Sequence, residues 1–351
     1  MKPISCIDAE QGKLYFREHD ATDLARNYSF EEVLFLLLHG HLPDKPQSTI
    51  FQKKILDLRA IAQPELLNIV KKIGTTYTDS PRRITDGFDR TDMFGLRVLA
   101  QNLDTLSKKY VLDRYESVLL FVTMAPLVLA SGWRHIQGKE LIAPRESLNH
   151  VKNFYWMLCG GNLPPEELRD LETCIILHMD DPDNPSLAAL EKSIKAGNPL
   201  SESLVLTLDS HIDPLHHGAG ECSLRTMIDI GHSKEVESYL AKRLKNGKLI
   251  YGLGHRIYKT IDPRAVVLKE ILERRTADHA SYALTYRIEE VARIGSELIL
   301  KSKGKVVYPN VDLYNAAVYL TFGMPYFINT ELFAVARSAG WAAHILELNN
   351  Q

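Results

Sequence analysis

The residues best suited to chemistry lie in the stretch 251–264, which reads Tyr-Gly-Leu-Gly-His-Arg-Ile-Tyr-Lys-Thr-Ile-Asp-Pro-Arg. Gly252 and Gly254 free the backbone just before His255, so another backbone segment or a ligand can approach closely. Two cationic side chains follow within about a turn, Arg256 and Lys259. Cations beside a proton-exchanging imidazole suit an anionic ligand, although a solvated surface loop is the simpler alternative. We predict that the stretch ends in a turn at Asp-Pro-Arg.

Two further protonatable groups lie at breaks marked by glycine or proline, His216 and Asp312. His216 and His217 could bind a metal together, but no third ligand follows at a recognised spacing, so we predict no metal site. Asp312, in Pro-Asn-Val-Asp, could be an ordinary turn or capping residue. From the residues alone, each group has a structural as well as a catalytic interpretation.

Arg337 is unusual because it shares one face of a predicted helix with Phe333 and Trp341. A guanidinium on an apolar face needs an anionic partner or must reach water.

Composition excludes several classes of protein. The 351 residues exceed what one hydrophobic core usually serves, so we expect two domains. A formal net charge of −2 gives no electrostatic basis for nucleic-acid binding. The apolar run Val118–Ala130 is too short to span a bilayer and predicts a buried helix. An N-terminus without an apolar signal segment and four scattered cysteines predict a cytoplasmic protein with free thiols.

The elements that must position these residues are almost all helices. A Glu-Gln-Gly turn between Ile4–Asp8 and Lys13–Arg17 predicts a small N-terminal β-hairpin. Ser29 and Glu32 form a capping box, and Gly40 is a typical C-terminal stop. We predict loops at 74–92 and 134–140, and an extended stretch at 306–312. Helices are predicted at Val33–Leu38, Ile50–Ile61, Phe94–Trp133, Leu148–Leu158, Pro165–Leu177, Leu187–Leu208 with a break near Gly197, Tyr282–Leu300 and Thr330–Leu346.

The whole string Gly-x-Gly-His-x-x-x-Lys-x-x-Asp-Pro-Arg resembles the signature segment of the citrate synthase family. Asp-Pro-Leu-His-His-Gly-Ala-Gly-Glu, at 213–221, is similar to that family's Gly-Pro-Leu-His-Gly-Gly-Ala-Asn-Glu, and the likeness covers almost the whole chain. The resemblance implies catalytic roles for His216, His255 and Asp312. It also implies oxo-acid binding by Arg264, Arg337, His178 and Asn184, and binding of coenzyme A phosphates by Lys259 and Arg256.

These residue types fit the condensation that the resemblance implies. Asp312 would remove a proton from the acyl group of acyl-CoA, and His216 would donate to the developing enolate oxygen. His255 would polarise the ketone of the 2-oxo acid while arginines hold its carboxylates. Hydrolysis of the thioester would then release a citrate-like acid and CoA. No permanently bound cofactor is implied, because the acyl-CoA is a substrate.

The chain departs from the family pattern at its oxo-acid clamp. The family usually has His-x-Asp-His-Glu, whereas this chain has His178-Met-Asp-Asp-Pro, with Asp181 at the second histidine. A carboxylate facing a dicarboxylate substrate at about 4 Å costs roughly 1 kcal/mol in water and about 4 in a partly shielded cleft. Gly220 and Asn315 replace the family's asparagine and serine, and the usual C-terminal tail, with an arginine for the partner subunit, is expected to be missing. We therefore expect weak turnover of oxaloacetate.

The sequence thus predicts an all-α, two-domain fold of the citrate synthase type with a small N-terminal β-hairpin. Residues 1–213 plus 312–351 would form the large domain, and residues 214–311 a small domain that closes over the cleft. The resemblance implies a homodimeric enzyme that joins acetyl-CoA or propionyl-CoA to oxaloacetate or a relative, as citrate and 2-methylcitrate synthases do. A diverged paralogue with a binding or regulatory role is the alternative, and no nucleic-acid or membrane partner is expected.

Overall fold

The computed structural model describes residues 2–77, 93–212, 218–277 and 282–348. Within these ranges the protein is largely helical, with a three-stranded sheet at the N-terminus, so the predicted all-α fold class is confirmed. The fifteen described helices are α1 (Ala21–Asn27), α2 (Phe30–His39), α3 (Lys45–Tyr77), α4 (Leu96–Lys109), α5 (Arg114–Ile136), α6 (His150–Cys159), α7 (Pro165–Ile176), α8 (Pro185–Lys195), α9 (Leu200–His211), α10 (Ala219–Ile230), α11 (Val236–Lys245), α12 (Pro263–Thr276), α13 (Tyr282–Lys303), α14 (Asn315–Thr321) and α15 (Asn329–Leu348).

The N-terminal hairpin is present and gains a short third strand that the sequence did not predict. Strands β1 (Ser5–Asp8) and β2 (Lys13–Phe16) pair antiparallel, with Ser5 opposite Phe16, and β3 (His19–Asp20) pairs with β2. Asp20 then caps α1 by accepting a hydrogen bond from the N–H of Thr22. The sheet therefore leads directly into the first helix.

Two helices, α5 and α15, form the centre of the core. The window of α5 that is long and apolar enough to cross a membrane is 94% buried inside the protein, as the sequence predicted for Val118–Ala130. Helix α15 packs against α5, α8 and α2, and nearly every residue from Asn329 to Ala343 is buried. Gly340 permits this packing, because a Cβ there would lie 2.3 Å from Oδ1 of Asp180. The segment that carries Asp180 and Asp181 is thereby held against α15.

Several residues at helix ends have the roles that the sequence predicts. Ser29 and Glu32 form the predicted capping box of α2, and Gly40 ends that helix with a φ of 82°. Prolines begin α7 and α8, where the missing N–H costs nothing.

Several predicted boundaries were wrong. Helix α3 continues to Tyr77 instead of giving way to a loop at Gly74, and the rest of that predicted loop lies largely outside the described residues. Helix α5 runs on to Ile136, past the predicted turn at Arg134, because apolar residues on its buried face continue that far. Asp262 does not close a turn, since its side chain caps α12 through the N–H of Arg264.

Candidate active site

The glycines of the 251–264 stretch bring two distant segments together. Gly252 and Gly254 have φ values of 83° and 84°, a region that costs an L-residue strain but not glycine. A Cβ on Gly252 would lie 2.7 Å from Cα of Leu313. The N–H of Gly254 donates to the carbonyl of Tyr308 at 2.8 Å, and the N–H of Asn310 donates to the carbonyl of Gly252 at 2.9 Å. The loop that carries His255 is therefore fixed against the turn that carries Asp312.

Backbone hydrogen bonds fix the orientation and tautomer of His255. Its Nδ1 lies 3.1 Å from the backbone nitrogens of both Ile257 and Tyr258, which can only donate. Nδ1 is therefore the acceptor, and in the neutral ring the proton is on Nε2. Burial lowers the pKa of His255, and the positive charge of Arg264 lowers it further. The result is a neutral imidazole with one N–H available to a ligand.

Asp312 has the electrostatics of a base that works near neutral pH. Burial raises its pKa to about 7, against the opposing positive charge of Arg264, and the negative charge of Asp262 adds to the rise. Its backbone N–H donates to Oδ1 of Asn310 at 2.9 Å, and the amide of Asn310 donates to the carbonyl of Gly254. The side chain of Asn310 therefore connects the two loops a second time and holds the turn of Asp312.

Arg264 is buried and bound by two carboxylates. Its Nε and Nη2 donate to the two oxygens of Asp262 at 3.1 and 2.9 Å, and its Nη1 lies 3.4 Å from Oδ2 of Asp181. Although burial lowers its pKa, these charges raise it well above the usual value. Each nitrogen of this guanidinium thus has a carboxylate partner.

Arg337 is also buried, but most of its hydrogen-bonding capacity is unused. Its Nε donates to the carbonyl of His178 at 2.9 Å, whereas Nη1 and Nη2 have no hydrogen-bond partner among the described residues. Burial lowers its pKa, partly offset by the charge of Asp181. A buried guanidinium whose two terminal nitrogens have no acceptor is energetically costly unless a ligand supplies one. Arg337 is therefore the residue most directly suited to bind an anion.

These side chains line one cavity of about 270 Å³. It contains His255, Asp312, Arg264 and Arg337, with Asp181 in the same wall. His216 lies outside the described residues. Two protonatable groups and a guanidinium with unpaired nitrogens thus share a space suited to a small anionic substrate.

The comparisons with known proteins agree with this geometry. The family model "Citrate synthase, C-terminal domain" matches residues 2–351. This chain belongs to the citrate synthase family. Citrate synthase of Haloferax volcanii is 31% identical over 356 residues, covering 98% of this chain and 88% of the relative. Citrate synthase 2 of Bacillus subtilis is 30% identical over 332 residues, covering 94% and 84%.

Solved structures give the same result. Citrate synthase from Thermotoga maritima superposes with a TM-score of 0.80 at 32% identity, covering 99% of this chain and 88% of that one. The enzyme from Thermoplasma acidophilum, solved as a ternary complex with carboxymethyl coenzyme A and oxaloacetate, has a TM-score of 0.84 at 23% identity, covering 99% and 89%. The latter supports the fold alone.

Not every residue that the family resemblance implied lines the cavity. The ring of His178 is fully buried and is not part of the lining, with Nδ1 2.5 Å from the carbonyl of Cys174 and the ring centroid 4.2 Å from that of Phe333. Burial lowers its pKa to about 3, so it is neutral. Its carbonyl, not its ring, supports Arg337. Asn184 does line the cavity, while its Oδ1 caps α8 at the N–H of Ser186.

Arg256 and Lys259, the two residues that the resemblance implies for binding coenzyme A, differ in their position relative to the cavity. Arg256 lines the mouth of the cavity, is exposed, and donates to the carbonyl of Asp183. Lys259 is outside this cavity, with its side chain 66% exposed and paired with Glu10 of the hairpin turn. Only Arg256 is therefore part of the cavity itself.

Sequence reasoning missed two residues that hold the site together, Asp262 and Asn310. Their signals were present, since Asp before Pro is a strong helix cap and Asn two residues before Asp312 can accept its N–H. At Gly220 the departure from the family has a steric reason, because a Cβ there would lie 2.3 Å from Oδ1 of Asn315. The exchanges at 220 and 315 are therefore spatially coupled.

Proposed function

We propose that this acyltransferase-type enzyme condenses an acyl-CoA with a 2-oxo acid and then hydrolyses the thioester. The observation that carries the proposal is Asp312, with a pKa of about 7, in one cavity with the Nε2–H of His255 and the unpaired fork of Arg337. A base, a hydrogen-bond donor for a ketone and a carboxylate clamp are the parts this reaction needs. Acetyl-CoA would give citrate or a relative, and propionyl-CoA would give a 2-methylcitrate-like acid.

In the proposed mechanism Asp312 takes a proton from the carbon next to the thioester carbonyl. His216 stabilises the enolate oxygen, a role supported by its place in the family motif. The enolate carbon attacks the keto carbon, whose oxygen accepts a hydrogen bond and then the proton from Nε2 of His255 as negative charge develops. Water then cleaves the thioester, leaving a hydroxy acid and CoA.

Binding roles follow from charge. Arg337 would bind the carboxylate next to the ketone, Arg264 would be held in the wall by Asp262 and Asp181, and His178 would act through its carbonyl. Arg256 and Lys259 would contact CoA phosphates, the first at the mouth and the second after releasing Glu10. Asn184 would contribute to the wall near the oxo acid.

We further propose a cytoplasmic homodimer in which residues 214–311 close over the cleft as a small domain. The packing of α11 against α13 within that range supports a separate unit. Four unpaired cysteines fit a reducing compartment.

The test is CoA release, measured with a thiol reagent, for acetyl-CoA and propionyl-CoA against a panel of 2-oxo acids. We expect release that needs both substrates. Release without an oxo acid would indicate a thioesterase. No release with any oxo acid, from protein with an intact helical circular-dichroism spectrum, would favour the binding or regulatory paralogue.

A further inference from the structure

The two buried arginines of the cavity are not equivalent. Arg264 meets two carboxylates, those of Asp262 and Asp181. Arg337 makes one hydrogen bond, to a backbone carbonyl, and leaves both terminal nitrogens without a partner in the described parts of the chain. The guanidinium of Arg264 is therefore fully paired with carboxylates of the protein, whereas that of Arg337 can still bind an anion.

Asp181 faces the one terminal nitrogen of Arg264 that Asp262 leaves free. It is 9% exposed, its Oδ2 faces Nη1 of Arg264, and its Oδ1 accepts the N–H of Asp183 at 3.3 Å. The carboxylate is thus fixed in the wall. The sequence suggested that Asp181 opposes an anionic substrate, and the contacts add that it faces a nitrogen of Arg264 that could otherwise bind a ligand.

Charge counting leads to the same conclusion. Arg264 and Arg337 supply two buried positive charges, and Asp181 and Asp262 supply two buried negative charges. Asp312 adds a further negative charge when it is ionised, so the cavity carries no surplus positive charge before a ligand enters. At the mouth, the formal charges of exposed Asp183 and Arg256 sum to zero, and Arg256 donates to the backbone carbonyl of Asp183. A ligand with one carboxylate can pair with Arg337, but a second carboxylate would find no further buried cation without a carboxylate partner among the described residues that line the cavity.

The remaining cavity wall includes apolar surface. Ile257, Val311, Phe333 and Pro185 all line it. A small uncharged substituent fits such a wall, whereas a carboxylate there would lose its hydration without compensation.

We propose that the 2-oxo acid of this enzyme carries a single carboxylate and a small uncharged side chain, as in pyruvate and 2-oxobutanoate, and that Asp181 sets this specificity. The proposal rests on the proposed function, since it names the substrate class of the same site. Arg337 binds the one carboxylate, His255 the ketone, and Asp181 excludes dicarboxylates.

The experiment compares 2-oxobutanoate with freshly prepared oxaloacetate, each with saturating acetyl-CoA, by thiol release. We expect kcat/KM at least tenfold higher for 2-oxobutanoate. Asp181→Asn removes the charge and keeps the shape of the side chain. It should raise kcat/KM for oxaloacetate at least tenfold and so reduce the ratio of kcat/KM for 2-oxobutanoate to kcat/KM for oxaloacetate. Asp229→Asn is the matched control, because it removes an exposed carboxylate that does not line the cavity, and it should leave the ratio unchanged.

Direct binding of the same two acids, by calorimetry without acyl-CoA, separates this inference from the proposed function. Tighter binding of 2-oxobutanoate with no CoA release would contradict the proposed reaction but support the proposed preference for a single carboxylate. Turnover that favours oxaloacetate, or a ratio that Asp181→Asn does not change, would overturn the role of Asp181 and leave the reaction standing. If neither acid binds and neither is turned over, both proposals fail.

Discussion

Arg337 is buried, and its two terminal nitrogens have no hydrogen-bond acceptor among the described residues. In the absence of a ligand this arrangement is destabilising. Arg17 provides a contrast, because it is also buried but donates from Nη1 and Nη2 to the carbonyls of Lys2 and Leu37 and to Glu347. The first arginine is better explained by ligand binding, and the second by folding. The difference between them can be measured.

We expect Arg337→Met to raise the KM for the oxo acid at least a hundredfold while the free energy of unfolding changes by less than about 1 kcal/mol or rises. Arg17→Met should lower that free energy by about 3 kcal/mol, since its partners lose a buried charge, and leave KM nearly unchanged. Urea unfolding and steady-state kinetics on both variants test this. Equal destabilisation by the two substitutions would mean that Arg337 is structural.

Asp312 gives a prediction about pH. Its folded pKa of about 7 means that the basic form is scarce at pH 5.5 and dominant at pH 8. The kcat/KM for acyl-CoA should therefore rise with pH and level off above an apparent pKa near 7. Asp312→Asn should lower kcat by about 10²–10⁴-fold. A pH profile that is flat from 5.5 to 8, or an Asn variant within tenfold of the parent, would remove Asp312 as the base.

At the scale of elements, the site depends on how the 251–264 stretch meets the turn at 310–313. The close contact of Gly252 with Leu313 leaves no room for a side chain, whereas Gly304, also at positive φ, has open space around it. A substitution at Gly304 therefore reports backbone strain alone, whereas a substitution at Gly252 reports strain together with a steric clash.

Gly252→Ala should cost about 1–2 kcal/mol in strain and about 1–3 kcal/mol in collision, and it should lower kcat because the turn of Asp312 must move. Gly304→Ala should cost only the strain, about 1 kcal/mol, with kcat unchanged. Thermal unfolding and CoA release check both. If Gly252→Ala behaves like Gly304→Ala, the close approach does not hold the site.

The sequence predicted the hairpin, the capping box of α2 and the buried α5, because each depends on residues close together in the chain. It placed His255, Asp312, Arg264 and Arg337 in one site through family resemblance, and the structure brings these four together. It could not predict that Asp181 contacts Arg264, or that the ring of His178 is fully buried and does not line the cavity. Those outcomes depend on tertiary contacts between residues far apart in sequence.

For the whole molecule, Asp180 ties three distant parts of the chain together. Its Oδ2 accepts hydrogen bonds from Ser5 of the hairpin at 2.5 Å and from Nε2 of His344 of α15 at 3.0 Å. Although burial lowers the pKa of His344, the charge of Asp180 raises it above the ordinary 6.5, with smaller contributions from Glu191 and Glu347. This interaction links the site segment 178–184 to both ends of the fold.

A raised folded pKa means that the His344 contribution to stability is complete below pH 6.5 and is lost as pH rises through the folded value. We therefore expect His344→Gln to be less stable than the parent at pH 6, and the difference to shrink at pH 9. The exposed His19 supplies a control, His19→Gln, which should show little effect at either pH. A difference for His344→Gln that grows with pH would contradict the assigned ion pair.

The central claim, that a carbon–carbon bond forms in this cavity, is tested most directly with acetyl-CoA fully deuterated on its methyl group. Condensation removes one deuteron at Asp312, so mass spectrometry should find a hydroxy acid that contains the carbon skeleton of the oxo acid and no more than two deuterons. Acetate that keeps all three deuterons, with the oxo acid recovered unchanged, would show simple thioester hydrolysis and contradict the account.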